Sequence, residues 1–185
     1  EVGNPFFVMR KVEGVTFAEA IDRAYGKARP PPGKAAGDPA VHSGEDDLGR
    51  GAPTLMQLLG VFLQVCHAIE YAHSRGILHL DVKPENVKLG RFGEVFVLDW
   101  GFASRKAKAP AIVAGTSQYM APERLQGKPP AEESDVYGLG VMLYRVATGA
   151  LPFDIPGMGF REFRESFEKL LAVPPRRRNP SLPKA

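Results

Sequence analysis

The reading of this chain turns on residues 79–103, HLDVKPENVKLGRFGEVFVLDWGFA. Two short apolar runs, Val87–Leu89 and Val95–Leu98, flank Gly90-Arg91-Phe92-Gly93, and that pattern predicts a β-hairpin. An antiparallel turn sets the residue before its first strand beside the residue after its second, so Asn86 and Asp99 should approach each other. An amide oxygen and a carboxylate that converge suit Mg²⁺, a hard cation that retains water and phosphate oxygens as further ligands. Asp81 lies one loop turn earlier, free to face a third group, and Lys83 brings a positive charge near any transferred phosphate. Together these residues predict a site for phosphoryl transfer.

Outward from the hairpin, Thr54 opens a helix in which Leu55, Leu58, Leu59, Phe62, Val65, Cys66 and Ile69 recur at helical spacing; Gly76 fits its stop. His67 and His73 fall on this helix without metal-ligand spacing and are expected to be structural. Ser134 to Thr148 forms a second helix, apolar on nearly every face and therefore expected to be buried, with Gly149 as its end. Arg161 to Leu171 reads as a third, amphipathic helix, and Pro174 onward as a polar, proline-broken tail. Phe6 to Met9 reads as a strand, within a segment 5–12, and Phe17 to Tyr25 as a short helix. Residues 26–53 hold Pro30 to Pro32 and Glu45-Asp46-Asp47 without periodicity and are expected to form a flexible insertion. Residues 102–120 are expected to be a long loop.

Composition sets outer bounds. The 185 residues suffice for one domain with a core, and 44% apolar with 24% charged residues is ordinary for a globular protein. A net charge of +3 gives no argument for nucleic acid, and Arg176-Arg177-Arg178 reads as a solvated run. The single Cys66 excludes an internal disulfide, and no run of residues is read as a membrane span.

With the motifs in place, the chain resembles the eukaryotic-type serine/threonine protein kinases of bacteria. HLDVKPEN and DWG are similar to the catalytic and metal-binding motifs of that family. GTSQYMAPE (115–123) resembles the end of its activation segment, and SDVYGLGVMLYRVATGALPF (134–153) its central helix. The resemblance implies an α+β, protein-kinase-like fold, here a mainly helical large lobe (core 54–171, tail 172–185) whose short hairpin carries the two loops. It implies transfer of the ATP γ-phosphoryl group to Ser/Thr hydroxyls of proteins. Asp81 would accept or orient the hydroxyl proton, Lys83 would contact the γ-phosphate, and Thr116 would shape the acceptor site. Asn86 and Asp99 would hold Mg²⁺. Met9 would be the gatekeeper, the Arg10 to Val12 backbone would meet adenine, and Lys88 would lie beneath it. Asp135 would accept backbone N–H groups of the catalytic loop.

The sequence departs from the family pattern at three places. Leu80 replaces an arginine that pairs with a phosphorylated loop, which argues against switching of that kind. Trp100 replaces phenylalanine and is expected to pack on His79. Lys88 replaces an apolar residue. The chain opens at Glu1 within an expected strand, with no glycine-rich loop or strand lysine before it. A small lobe is therefore expected elsewhere in the full-length protein, and little activity from this chain alone. Glu123 is expected to lack its arginine partner. A need for ATP and a single thiol lead to the expectation of a cytoplasmic setting. Two other readings compete: a pseudokinase-like binding module, favoured by Leu80 and Lys88, and a small-molecule phosphotransferase, disfavoured by GTSQYMAPE. The four residues Asp81, Lys83, Asn86 and Asp99 favour the kinase over the binding module.

Overall fold

The computed structural model describes residues 12–27, 52–109, 114–153 and 158–184. The expected strand at Phe6–Met9 and nearly all of the 26–53 insertion lie outside them. Val12 is described and is not in a strand; the first strand among the described residues, β1, is Val15–Thr16. It reaches its neighbour through Gly14, whose φ of +129° suits only glycine and whose missing Cβ would sit 1.9 Å from the Leu89 carbonyl oxygen.

Thr16 also starts α1 (Phe17–Ala24) through a reciprocal cap. Its hydroxyl accepts the Glu19 N–H at 3.1 Å, while the Glu19 carboxylate accepts the Thr16 N–H at 2.7 Å. Helix α2 (Leu55–Ser74) begins the same way, with Thr54 and Gln57 exchanging bonds. Its buried stripe, Leu58, Val61, Val65, Ile69 and Ala72, follows the 3–4 spacing read from sequence. Each Leu, Val or Ile buried there contributes about 1.5–3 kcal/mol. Over its 20 residues α2 has the length and apolarity to cross a membrane, which the sequence reading did not expect. Its stripe instead packs within the domain core with Phe17, Ile21, Met142 and Val146, as the core helix of a globular fold does. Cys66 is half-buried in α2, and burial pushes its thiol pKa up, in keeping with an inert side chain.

The hairpin forms as expected. Strand β2 (Ile77–Leu78) leads into the catalytic-loop motif; β3 (Val87–Leu89) and β4 (Val95–Val97) then pair antiparallel, Val87 opposite Val97 and Leu89 opposite Val95. β1 joins the other edge of β3, giving a three-stranded sheet in the order β1-β3-β4. The described residues of the expected long loop 102–120 include a strand and short 3₁₀ turns. Strand β5 (Ser104–Arg105) pairs antiparallel with β2, since backbone N–H and C=O groups near the core need partners.

Helix α3 (Pro122–Leu125) precedes α4 (Glu132–Thr148), which ends at Gly149 in the left-handed conformation. Burial of α4 corrects the sequence reading. Val141, Met142 and Val146 are in the core, but Val136 is 57% and Leu143 39% exposed. Apolar composition overstated burial because only one face of α4 meets α2. The third amphipathic helix is also shorter than expected: α5 runs Phe160–Ser166 and then tightens into a 3₁₀ turn, Phe167–Lys169. Phe163 anchors a second apolar cluster with Met120 and Leu125, edge-on to Phe153 and Phe167. The proline-broken tail contains α6 (Pro175–Arg178) and is tied down. Tyr144 donates to the Val173 carbonyl at 2.6 Å, and the Asn179 amide to that of Ala147 at 2.8 Å.

Candidate active site

The loop between β2 and β3 is hung from α4. The Asp135 carboxylate, 1% exposed, accepts the backbone N–H of His79 and that of Leu80, each at 2.8 Å, and lies 2.8 Å from His73 Nε2. A buried carboxylate on an apolar helix requires such donors, so the expectation for Asp135 is met geometrically. His73 and His79 are likewise structural. His79 Nε2 lies 3.1 Å from the Leu98 carbonyl, and its Nδ1 accepts the Asp81 N–H at 3.2 Å. A neutral ring protonated at Nε2 satisfies both contacts, and burial holds the His79 pKa below its ordinary value. Trp100 packs on the same ring, centroids 4.5 Å apart, as its size predicts.

These supports deliver Asp81, 5% exposed, to a cluster of three neighbours. Its Oδ2 accepts from Lys83 Nζ at 2.7 Å and from Asn86 Nδ2 at 2.9 Å, and its Oδ1 accepts the Thr116 N–H at 3.0 Å. Lys83 Nζ also donates to Thr116 Oγ1 at 2.6 Å. Burial pushes the Asp81 carboxyl up, but the bonds from Lys83, the Thr116 amide and Asn86 together hold it below the usual carboxylate value. Asp81 is therefore an anion at neutral pH, able to orient a hydroxyl and take its proton. Lys83 stands ready beside it for a second anion.

Asn86 spends its amide hydrogens on Asp81, with Nδ2 also donating to the Asp81 carbonyl at 2.9 Å. Its Oδ1 is thereby the atom left with ligand capacity. Asp99 follows β4 in the left-handed region at φ 58°, and its Oδ1 accepts the Gly101 N–H at 3.4 Å. The Leu98 N–H donates to the Asn86 carbonyl at 2.7 Å, so the backbones carrying Asn86 and Asp99 are adjacent, as the hairpin argument requires. Leu80, at φ 66°, and Asp99 are the non-glycine residues with positive φ among those described; both lie at this site. Such a backbone costs of order 1–3 kcal/mol per residue and persists only where surrounding bonds enforce it.

The remaining expected site residues are less closely joined. Met9 and Arg10 lie outside the described residues. Val12 borders a depression shared with Glu13, Arg91 and Phe92 at the hairpin turn. Lys88 is half-buried in β3, opposite Thr16 on one side and Phe96 on the other. Among the described residues no group of three or more His, Cys, Asp or Glu side chains could hold a metal ion.

Two side chains escaped the sequence reading, and a third has a partner it did not foresee. Arg145, in α4, reaches Glu85 at 2.6 Å, the Tyr119 hydroxyl at 2.9 Å and Asp22 at 3.4 Å. It thereby links α1, the catalytic loop and the segment after Thr116. Burial, helped by nearby Glu85 and Asp22 against the opposing Arg145, leaves the Tyr119 phenol pushed up to about 12. Arg124, buried in α3, donates to the backbone carbonyls of Leu80 and Ala114. Glu123, expected to lack an arginine partner, accepts the Ser134 hydroxyl instead, because α3 turns directly onto the start of α4. An uneven spread of charge along an apolar helix was the available signal for Arg145; nothing local marked Arg124.

The family model described as the protein kinase domain matches residues 50–182. Over 116 residues the chain is 44% identical to a serine/threonine-protein kinase PknD of Chlamydia abortus, covering 51% of this chain and 12% of that protein. The corresponding protein of Protochlamydia amoebophila is 40% identical over 121 residues, 54% of this chain and 12% of its own length. That of Chlamydia trachomatis serovar D is 37% identical over 126 residues, 54% and 14%. The chain thus spans roughly an eighth of the length of these relatives.

Proposed function

The chain belongs to the protein kinase domain family, and from that membership we propose that its protein transfers the γ-phosphoryl group of ATP to serine and threonine hydroxyls of other proteins. The observation that carries the reading is the Asp81 cluster: a buried, ionised carboxylate with Lys83 and the Thr116 amide on opposite oxygens. In this reading the described residues are the large lobe of the kinase domain, and β3 and β4 carry its two reactive loops.

Phosphoryl transfer demands positioning and charge stabilisation more than covalent chemistry from the protein. Asp81 orients the acceptor hydroxyl and takes its proton as the oxygen attacks phosphorus. Lys83 stays near the transferred group, and Thr116, bonded to both, sets the width of the acceptor site. Asn86 Oδ1 and the Asp99 carboxylate are the oxygens that would hold Mg²⁺, which neutralises phosphate charge when bound. Their chemistry fits a hard cation, and the Asn86–Asp81 bonds already turn the amide the right way round. Lys88, with the backbone of Met9, Arg10 and Val12, would meet the adenine.

The test is phosphate transfer by the full-length protein with Mg²⁺, ATP and a mixed serine and threonine peptide set. Asp81→Asn should lower incorporation at least about 100-fold. Transfer undiminished in that variant would sink the assignment.

A further inference from the structure

Arg124 has no role in the phosphoryl-transfer reading, yet it is 6% exposed and its guanidinium is committed to backbone. One terminal nitrogen donates to the Leu80 carbonyl and the other to the Ala114 carbonyl, the latter at 2.7 Å. Its Nε has no partner among the described residues. An unsatisfied buried donor costs about 1–3 kcal/mol, so the arrangement is not explained by the stability of Arg124 itself.

The positions of the two carbonyls explain it better. Leu80 directly precedes Asp81 and holds a left-handed backbone that a branched side chain does not favour. Its N–H is fixed by Asp135 and its C=O by Arg124, so both peptide groups of the strained residue are pinned from different helices. Ala114 stands two residues before Thr116, whose N–H bonds Asp81 Oδ1. The guanidinium thus closes a ring: Arg124 to Leu80, along the chain to Asp81, across to Thr116, back to Ala114 and to Arg124. A planar fork with donors on both terminal nitrogens suits two carbonyls at fixed separation; an ammonium does not.

We propose that Arg124 is a positioning residue: by bridging the Leu80 and Ala114 carbonyls it holds the Asp81 carboxylate in register with the 114–116 segment. Its kinetic consequence rests on the phosphoryl-transfer reading; its structural consequence does not.

The experiment compares full-length parent, Arg124→Met and Arg124→Lys by amide hydrogen exchange, with transfer kinetics beside it. In Arg124→Met the Leu80 and Thr116 amides should exchange at least about 10-fold faster while the core of α2 keeps its protection. kcat should fall at least about 10-fold with the KM for ATP within about two-fold, and Arg124→Lys, whose ammonium can meet one carbonyl but not bridge the two, should recover only part of both effects. Protection at Leu80 and Thr116 unchanged from the parent overturns the proposal, as does loosening of α2 to the same degree. Should Arg124→Met not fold, the same two amides in Arg124→Lys decide the matter. If the parent shows no transfer that depends on Asp81, the phosphoryl-transfer reading fails, and the exchange pattern still settles whether Arg124 joins the two segments.

Discussion

The carboxylate of Asp135 accepts the backbone N–H of Leu80 at 2.8 Å across 55 residues of sequence. A residue inside α4 therefore controls the conformation of the residue that precedes the candidate base. The bond, with its twin to His79, makes the catalytic loop an appendage of the helical core instead of a free turn.

Asp135→Asn keeps the size but supplies one acceptor oxygen, and its NH₂ faces a donor. At least one buried N–H loses its partner, and His73 loses its anion. The expected cost is about 2–4 kcal/mol, read as a lower urea midpoint at unchanged slope. An unchanged midpoint would show that the loop holds itself.

Acid should loosen the fold through His79. Its folded pKa lies below the ordinary 6.5, so the unfolded chain binds the proton first as pH falls. Stability from the neutral ring is fully present above about 6.5 and is lost progressively below it. The thermal midpoint should fall between pH 7 and 5, and His79→Phe should flatten that slope while lowering the midpoint at pH 7. A slope equally steep in His79→Phe would assign the effect elsewhere.

Asp81 titrates further into acid than His79. Held below its ordinary 3.8, its carboxyl stays ionised from neutral pH down to about 4. Its bonds stabilise the fold throughout that range and above it, and the contribution disappears as pH falls through the depressed folded value. The acid limb of kcat should then show no inflection from this group between pH 5 and 7. Lys83→Met removes one of the bonds that depress it and should move any acid inflection upward. An acid limb that is the same in parent and Lys83→Met would contradict the geometry.

Gly14→Ala tests the β1–β3 contact. The new Cβ would meet the Leu89 carbonyl at 1.9 Å, and the backbone at φ +129° is strained for alanine. Loss of about 2–4 kcal/mol is expected by urea unfolding, with faster exchange at Val15 and Leu89. A neutral substitution would mean that β1 can separate from β3 freely.

Much of the site was legible because its residues are local in sequence. The Gly90 to Gly93 turn alone places Asn86 beside Asp99, since a hairpin register follows from turn length. Thr54, Gly76 and Gly149 marked their helix ends through caps and a left-handed stop, which need only neighbouring residues. The motif resemblance supplied Asp81, Lys83, Thr116 and Asp135, and the structure brings all four to one loop. Other features were not legible. β1 and β5 have two residues each, too short for any period to show, and exist only because β3 and β2 offer unpaired backbone.

The sequence by itself determined the elements and the chemistry gathered around residues 79–103, because helical spacing, caps and a tight turn act over a few residues. Tertiary structure decided how those groups are held. Arg124 reaches Leu80 across 44 residues, and Arg145 reaches Glu85 across 60 and Asp22 across 123. The exposed side of α4 was likewise settled only when α2 covered one face and left Val136 in solvent. A guanidinium carries no local signal of its target: its side chain is long, and its carbonyl partners are present at every residue. Which pair it bridges is fixed only when the helices pack.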